Sequence, residues 1–590
     1  MTLREVKQIL ETNRSFHHRN LSKLNLSGMD FSKITMNNTN LSHTNLSSAN
    51  LSDAILISTN LSHSNLENAN LSGCKMDHPI LKKANLSHAE LNLVIIEAGD
   101  MTDANLSGAN LRGAFIKEVD LSNTNLSNAN LSFAFIKADL SNANLNKADM
   151  HGANLINVSL NNTDMRKINL SGAKLEQIDM SGTSRVHVYL TNANLNHAVM
   201  LSVKMAAVDL SGAYLNGSII KDGNLSSANL SNVNLNNTVI LKTDLGKADL
   251  RYASLLYSYL EEVDMSGSNL SGADLKYSEV GKTKLNDAIL SNADLCDASL
   301  IGANLKNADL RNTKLSRSNL RDADLTNAKL KGSDLKYADL SSADLDGADL
   351  KDADMSHANL THAILSNADL SKVNLGGAIL KYADLSKAKL NGIILKDTDL
   401  SKAILIGADF KMIDLSGFNL NGANLKNADL AGANLSGAIL ENADLSGANL
   451  EKTNLIGVNL NAANLKKANL SGSNLNEASL RNADMTDAIL TAAKLNDSKL
   501  NNANLKNVDL KNACMKGADL SGAKLKNADL NGADLTNTSL KNTDLRGANL
   551  KKADLKGADL KGCDFTGGEI SLIKNFQEAQ NINKATGLKN

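Results

Sequence analysis

Tryptophan is absent from this sequence, proline occurs once, at Pro79, and aromatic residues make up 3% of its 590 positions. A globular core for a chain of that length ordinarily leans on Phe, Tyr and Trp, because each buries so much area. Leu and Ala must fill the interior here. Charge of one sign is missing too: 62 basic and 63 acidic residues leave a net charge of −1, which gives no global pull towards nucleic acid or an anionic membrane. Cysteine is scarce. Cys74, Cys296, Cys514 and Cys563 are far apart and form no CxxC pair or metal-ligand spacing, so they read as reduced thiols. No stretch approaches the ~20 apolar residues of a membrane span. The opening MTLREVKQILETNR puts charges where a signal peptide needs an apolar run. These absences point to a cytoplasmic protein, or to an effector delivered without a classical signal peptide.

What the chain does have is self-similarity, which outranks other signals. Leu or a substitute recurs at every fifth residue, as at Leu41, Leu46, Leu51, Leu56, Leu61 and Leu66. The unit is A-[DN]-L-x-x, seen in Ala49-Asn50-Leu51 and in Ala308-Asp309-Leu310-Arg311-Asn312. With Leu as the centre, Ala lies two residues before it and Asp or Asn one before. The frame runs from Phe16 to Ile136, slips by one residue near Lys137-Ala138-Asp139, and holds from Leu140 to Phe565 and Ile570.

A period of five is neither the 3.6 of a helix nor the 2 of a strand. It suits a chain that turns a corner once per unit, so that four units close a coil of about 20 residues. The centre and the Ala before it would point inward, small and large side chains alternating to fill a narrow lumen. Coils stacked through parallel hydrogen bonds at about 4.8 Å would number about 28 and reach roughly 135 Å. Asn before the centre can form side-chain ladders between coils. Asp there would repel its stacked copy by about 1 kcal/mol at most in water, and interleaved Asn and Lys limit that.

These residues closely resemble the pentapeptide-repeat family, whose motif is the same A-[DN]-L-x-x, over about residues 16–570. The resemblance implies an all-β fold, a right-handed quadrilateral parallel β-helix. The handedness and the square section come from the resemblance.

An uncovered coil end exposes an unpaired strand edge. Residues 1–15, with Leu3, Val6, Ile9 and Leu10 at helical spacing, are expected to form a capping helix. Residues 571–590 are expected to supply a C-terminal cap through Leu572, Ile573, Phe576 and Ala579, then a frayed tail from Asn581. Within 181–189 the motif fails and Arg185 takes a centre position. The expectation is a bulge that turns Arg185 outward, with an Arg lining a polar pocket as the other reading.

No Gly-rich phosphate loop, nucleophile with a base, or carboxylate pair in a cleft is evident. The glycines fall at corners, which is turn chemistry. Six of the 11 histidines (His17, His18, His43, His63, His78 and His88) precede residue 137. They read as solvated surface groups, not metal ligands. No enzyme activity, cofactor, metal or small-molecule substrate is expected.

The water-facing positions carry one signal. Stepping by 20 residues aligns Val199, Ile219, Val239 and Tyr259, with Leu201 and Leu241 beside them and Leu256 and Tyr257 flanking the end. Tyr277 should stack on Tyr257. A second column holds Ile55, Ile95, Phe115 and Phe135, with Phe133 beside it and Lys75 interrupting. All eight tyrosines fall outside the lumen in this register. Scattered β-branched residues suit strands anywhere, but apolar residues in line suggest a protein partner or a side-by-side dimer. The reading favoured is a structural or interaction scaffold. The alternative follows from the resemblance: some pentapeptide-repeat proteins mimic duplex DNA and act on type II topoisomerases such as gyrase. Mimicry over ~135 Å would take on the order of 80 negative charges, which this composition lacks. Direct nucleic-acid binding is expected still less, because Asp554, Asp559 and Asp564 lie among the late lysines.

Overall fold

The computed structural model describes residues 1–180 and 190–588. They form a parallel β-solenoid of stacked coils, arranged as two units, 1–309 and 310–590.

The repeat dictates the coil through hydrogen bonds that most of the described units make alike. The centre donates its N–H upward, as Leu41 does to the Asn60 carbonyl at 2.7 Å. The residue before the next coil's centre donates downward, as Asn60 does to the Thr39 carbonyl at 3.0 Å. Each corner closes when the next Ala N–H reaches back to the centre carbonyl, Ala49 to Leu46 at 3.0 Å. The second corner residue has positive φ (54° at Ser48), the signature of a type II turn. Asn and Asp tolerate that region and glycine favours it, which explains why these types dominate the corners. Bridges on four successive positions, Ser15↔Thr35, Asn20↔Asn40, Asn25↔Asn45 and Asp30↔Asn50, give four faces per coil.

Among the described residues, centres and Ala positions are buried along most of the solenoid, most of them at 0–2% exposure. Where Thr, Ser or Cys replaces Ala, the polar atom usually finds a lumen carbonyl: Thr39 Oγ1 donates to Phe16 at 2.6 Å, and Cys74 Sγ to Leu51 at 2.8 Å; Ser218 Oγ and Thr283 Oγ1 are buried without one. Phe16 and Phe31 fill the first coil edge to face, 6.1 Å apart. Below them lies helix α1 (Leu3–Thr12), opened by a Thr2–Glu5 capping box, with Val6 buried. At the other end two 3₁₀ turns, Phe576–Glu578 and Ile582–Lys584, stand where a capping helix was expected. The chain expected to fray keeps coiling, since Gln580 bridges Asp559 and Thr586 bridges Asp564. Leu572 remains 67% exposed.

In unit 1 one face is a continuous eleven-stranded parallel sheet in chain order. Its strands are β1 (Ile55–Ile57), β2 (Lys75–Asp77), β3 (Ile95–Glu97), β4 (Phe115–Asp120), β5 (Phe135–Asp139), β6 (Asn154–Ile156), β7 (Lys174–Glu176), β8 (Val199–Leu201), β9 (Ile219–Lys221), β10 (Val239–Leu241) and β11 (Tyr259–Glu261). Most steps are 20 residues, as from Ile55 to Lys75. Two are not. Phe135 pairs with Asn154, a step of 19, next to a register shift at Lys117/Val119. Lys174 pairs with Val199, a step of 25, where a uniform 20-residue coil had been assumed. Asn169↔Asn194 and Asp179↔Lys204 carry the same spacing on other faces. The bulge expected at 181–189, with Arg185, lies outside the described residues.

Unit 2 repeats the design, with one opening. Ile393, Ile413 and Phe418 occupy Ala positions and are only half-buried, and Leu395 is 6% exposed. No bridge joins Lys389, Ile394 or Asp399 to the next coil's Asp409, Asp414 or Asn419, whereas Ile404 on the fourth face bridges both Asp384 and Asn424. Stacking Ile413 on Ile393 and Phe418 on Thr398 overfills a slot cut for Ala, and overpacking of this kind costs roughly 1–3 kcal/mol. The coils splay on three faces and hold on the fourth. A cavity of about 130 Å³ opens there beside Thr398 and Phe418.

Candidate interaction surface

Outward side chains on the unit 1 sheet come from the first and third residue of each strand, since strand side chains alternate. The first column reads Ile55, Lys75, Ile95, Phe115, Phe135, Asn154, Lys174, Val199, Ile219, Val239 and Tyr259. The two apolar columns found in the sequence are therefore one. The 19-residue and 25-residue steps bring the later run onto the face of the earlier one, across about 48 Å at 4.8 Å per strand.

The third positions form a second column: Ile57, Asp77, Glu97, Lys117, Lys137, Ile156, Glu176, Leu201, Lys221, Leu241 and Glu261. It is mostly charged and of mixed sign, with Leu201 and Leu241 where the sequence placed them. Ile57 and Ile156 were missed in the sequence, although i+2 spacing from Ile55 and Asn154 marks them. Leu256 is half-buried on the preceding face, its N–H donating to Asn236 Oδ1 at 2.9 Å. Tyr257 is at the corner leading into β11 and stacks on Tyr277, centroids 5.0 Å apart and planes 8° apart. The seven tyrosines among the described residues are all outside the lumen; Tyr189 lies outside the described residues.

Phe115 and Phe135 stack at 4.8 Å. The adjoining corner adds Leu93 and Phe133, 65% and 53% exposed. Arg112 sits 5.1 Å over the Phe133 ring and His151 packs on its edge at 4.6 Å. The ring also lies across Gly152, where an added Cβ would meet it at 2.7 Å. Leu93, Phe133, Tyr257 and Tyr277 all hold φ of 56–59°. Bulky side chains rarely adopt this region, and it costs about 1–2 kcal/mol per residue. Largely exposed and strained at once, these corners are supported within the chain only by such surface contacts and not by burial in the lumen. At the β1–β3 end, Ile55, Ile57, Lys75, Asp77, Ile95 and Glu97 line a depression of about 450 Å³.

The opposite face is polar. Asn25, Asn45, Asn65, Asn85, Asn105, Asn125 and Asn144 form a ladder in which each Nδ2 donates to the Oδ1 one coil below, at 2.9–3.5 Å. In unit 2 lysines bridge stacked aspartates: Lys336 reaches Asp334 and Asp354 at 3.9 and 3.4 Å, and Lys511 reaches Asp509 and Asp529 at 3.3 Å. These carboxylates raise both lysine pKa values. Cys74 and Cys563 are buried in Ala positions, and burial pushes each thiol up to about 12; Cys514 is exposed. His43 and His63 stack at 4.7 Å. No group of three or more His, Cys, Asp or Glu among the described residues could hold a metal ion, and no helix among them is long and apolar enough to cross a membrane.

Stacked five-residue units with an Ala/Leu lumen define a pentapeptide-repeat protein. A family model described as pentapeptide repeats (8 copies) matches the chain in successive stretches from 20–57 to 528–567. The chain belongs to that family. Among solved structures it is similar to HetL of the cyanobacterium Nostoc sp. strain PCC 7120, a pentapeptide repeat protein involved in heterocyst differentiation regulation. The identity is 36% over 34% of this chain and 89% of that one, with a TM-score of 0.29. It is also similar to Rfr23 from the cyanobacterium Cyanothece 51142, 28% identical over 22% of this chain and 94% of that one, TM-score 0.11. A third similarity is to QnrB1, a plasmid-mediated fluoroquinolone resistance protein, 19% identical over 39% and 89%, TM-score 0.16. Comparison with curated proteins gives no match.

Proposed function

We propose that the chain is a non-enzymatic scaffold that binds a protein through the eleven-stranded face of unit 1. One observation carries this reading: an outward-facing column in which Ile95, Ile219 and Tyr259 are exposed and Phe115, Phe135, Val199 and Val239 half-buried is edged by exposed Leu93, Phe133 and Tyr257 at corners where glycine or asparagine would fit without strain. Large apolar patches on a surface mark interaction sites, and strain kept at an exposed position points to a use for it. DNA mimicry of a topoisomerase substrate draws no comparable support, because the net charge is −1 and lysines such as Lys336 and Lys511 lie between stacked aspartates.

The test is affinity capture from cells with wild-type chain, with Val239→Lys/Leu241→Lys, and with Asn229→Lys/Ser231→Lys on the opposite face. A partner held by the wild type and the opposite-face variant but lost from the first variant supports the reading. Equal retention by all three, with the fold intact by circular dichroism, contradicts it.

A further inference from the structure

The occupant of this face can be narrowed, and the step rests on the reading above. We propose that the face binds a second copy of the chain, in an antiparallel pair whose two-fold axis runs along β6. In a two-fold interface the same patch meets itself, so residue i faces j and j faces i. Reversing one sheet against another about β6 sets β1 opposite β11, β2 opposite β10, β3 opposite β9, β4 opposite β8 and β5 opposite β7.

The first column then meets the first column. Ile55 faces Tyr259, Ile95 faces Ile219 and Phe115 faces Val199. Lys174 faces the Phe135 ring, a cation–π arrangement, and Asn154 faces Asn154. Lys75 faces Val239, with its ammonium free to reach the rim. The second column likewise meets itself. Glu97 faces Lys221 and Lys137 faces Glu176, each twice by symmetry, and Ile156 faces Ile156. Asp77 and Glu261 face Leu241 and Ile57, and Lys117 faces Leu201. Like charges nowhere oppose. Glu176 already holds Lys174 at 2.6 Å, so Lys137 of the second copy adds a cation to an existing pair.

Sliding one coil so that β1 faces β10 also opposes no like charges, setting Asp77 against Lys221 and Lys117 against Glu176, but it leaves β11 with no strand opposite and takes Tyr259 off the Ile55 end. A charge-reversal rescue between Glu97 and Lys221 belongs to the β6 register and not to that one. Slides in the opposite sense, or further, are poorer. Sliding one coil so that β2 faces β11 sets Asp77 against Glu261 and Lys117 against Lys221. Sliding two coils the other way sets Glu97 against Glu176. A pair with its axis parallel to the coil stack lays the apolar column on the charged one, Ile95 on Glu97 and Ile219 on Lys221. The antiparallel pair also places Tyr259 of the second copy over the Ile55 end, where the 450 Å³ depression lies. Two outward side chains from each of eleven strands supply a patch of the size that stable interfaces use, about 20–30 residues a side.

Sedimentation of the purified chain tests the pair, with charge reversal as the specific probe. Wild type should dimerise. Glu97→Lys should weaken the dimer about 10–100-fold, and adding Lys221→Glu in the same chain should restore it, a rescue that a foreign partner would not produce. In a background lacking Cys296 and Cys514, a mixture of Ile55→Cys and Tyr259→Cys chains should form mixed disulfides. A monomer at tens of micromolar, no rescue, or no mixed disulfide overturns the pair. Loss of a captured protein from Val239→Lys/Leu241→Lys in that event leaves the broader scaffold reading standing; no loss in either experiment removes both.

Discussion

At the residue scale the repeat separates two kinds of position, and the informative ones break its preference. The second corner residue wants glycine, asparagine or aspartate because its φ is positive. Leu93, at φ 58° and 65% exposed, has neither the conformational ease nor the burial that would justify a branched apolar side chain. Leu93→Asn should therefore stabilise unit 1 by roughly 0.5–1 kcal/mol, read by urea unfolding, while weakening partner capture. A loss of stability would show that Leu93 serves packing. Acid response also belongs to single side chains. Asp164, Asp249 and Asp544 each accept hydrogen bonds from the Arg two residues on, which holds their carboxyls below the ordinary 3.8. A carboxyl with a folded pKa below its unfolded value contributes stability above that unfolded value and loses it as pH falls through the folded one. The thermal midpoint should stay flat between about pH 7 and pH 5 and drop below about pH 4, less steeply after Asp164→Asn/Asp544→Asn.

At the element scale the coil is legible in sequence and its stacking is only partly so. Leu at every fifth place, with Ala two before it, announces the lumen because nothing else buries such a pattern. The one-residue slip at 137–139 is visible because it breaks the five-residue frame. The 25-residue step from Lys174 to Val199 is silent, because one whole added unit leaves the frame unchanged and turns the chain by one face. That is why the two apolar columns look separate in sequence. Asn154 and Lys174, polar members of the first column between them, hide the continuity further. The opening in unit 2 was legible in principle, since Ile393, Ile413 and Phe418 violate the Ala slot. Ile413→Ala/Phe418→Ala should close it, and amide hydrogen exchange at Lys389–Asn419 should slow about tenfold or more. Unchanged or faster exchange would mean that the large side chains do not hold the coils apart.

At the scale of the whole molecule, function depends on which faces the coils bring together. In unit 1 an apolar sheet and an asparagine ladder occupy opposite faces, so one side is dressed for contact and the other for water. Length alone does not produce that contrast. It requires Phe135 and Val199 to lie on the same face, and hence the 25-residue step. Paired cysteines across that step give the most direct measurement: Lys174→Cys/Val199→Cys against Lys174→Cys/Asn194→Cys, each oxidised mildly in a background lacking the native exposed thiols and mapped by peptide mass. The register described here puts 174 beside 199, so the first variant should form an intramolecular disulfide and the second should stay reduced. Crosslinking of 174 to 194 instead would restore a uniform 20-residue coil, split the face into two short stripes, and contradict the account.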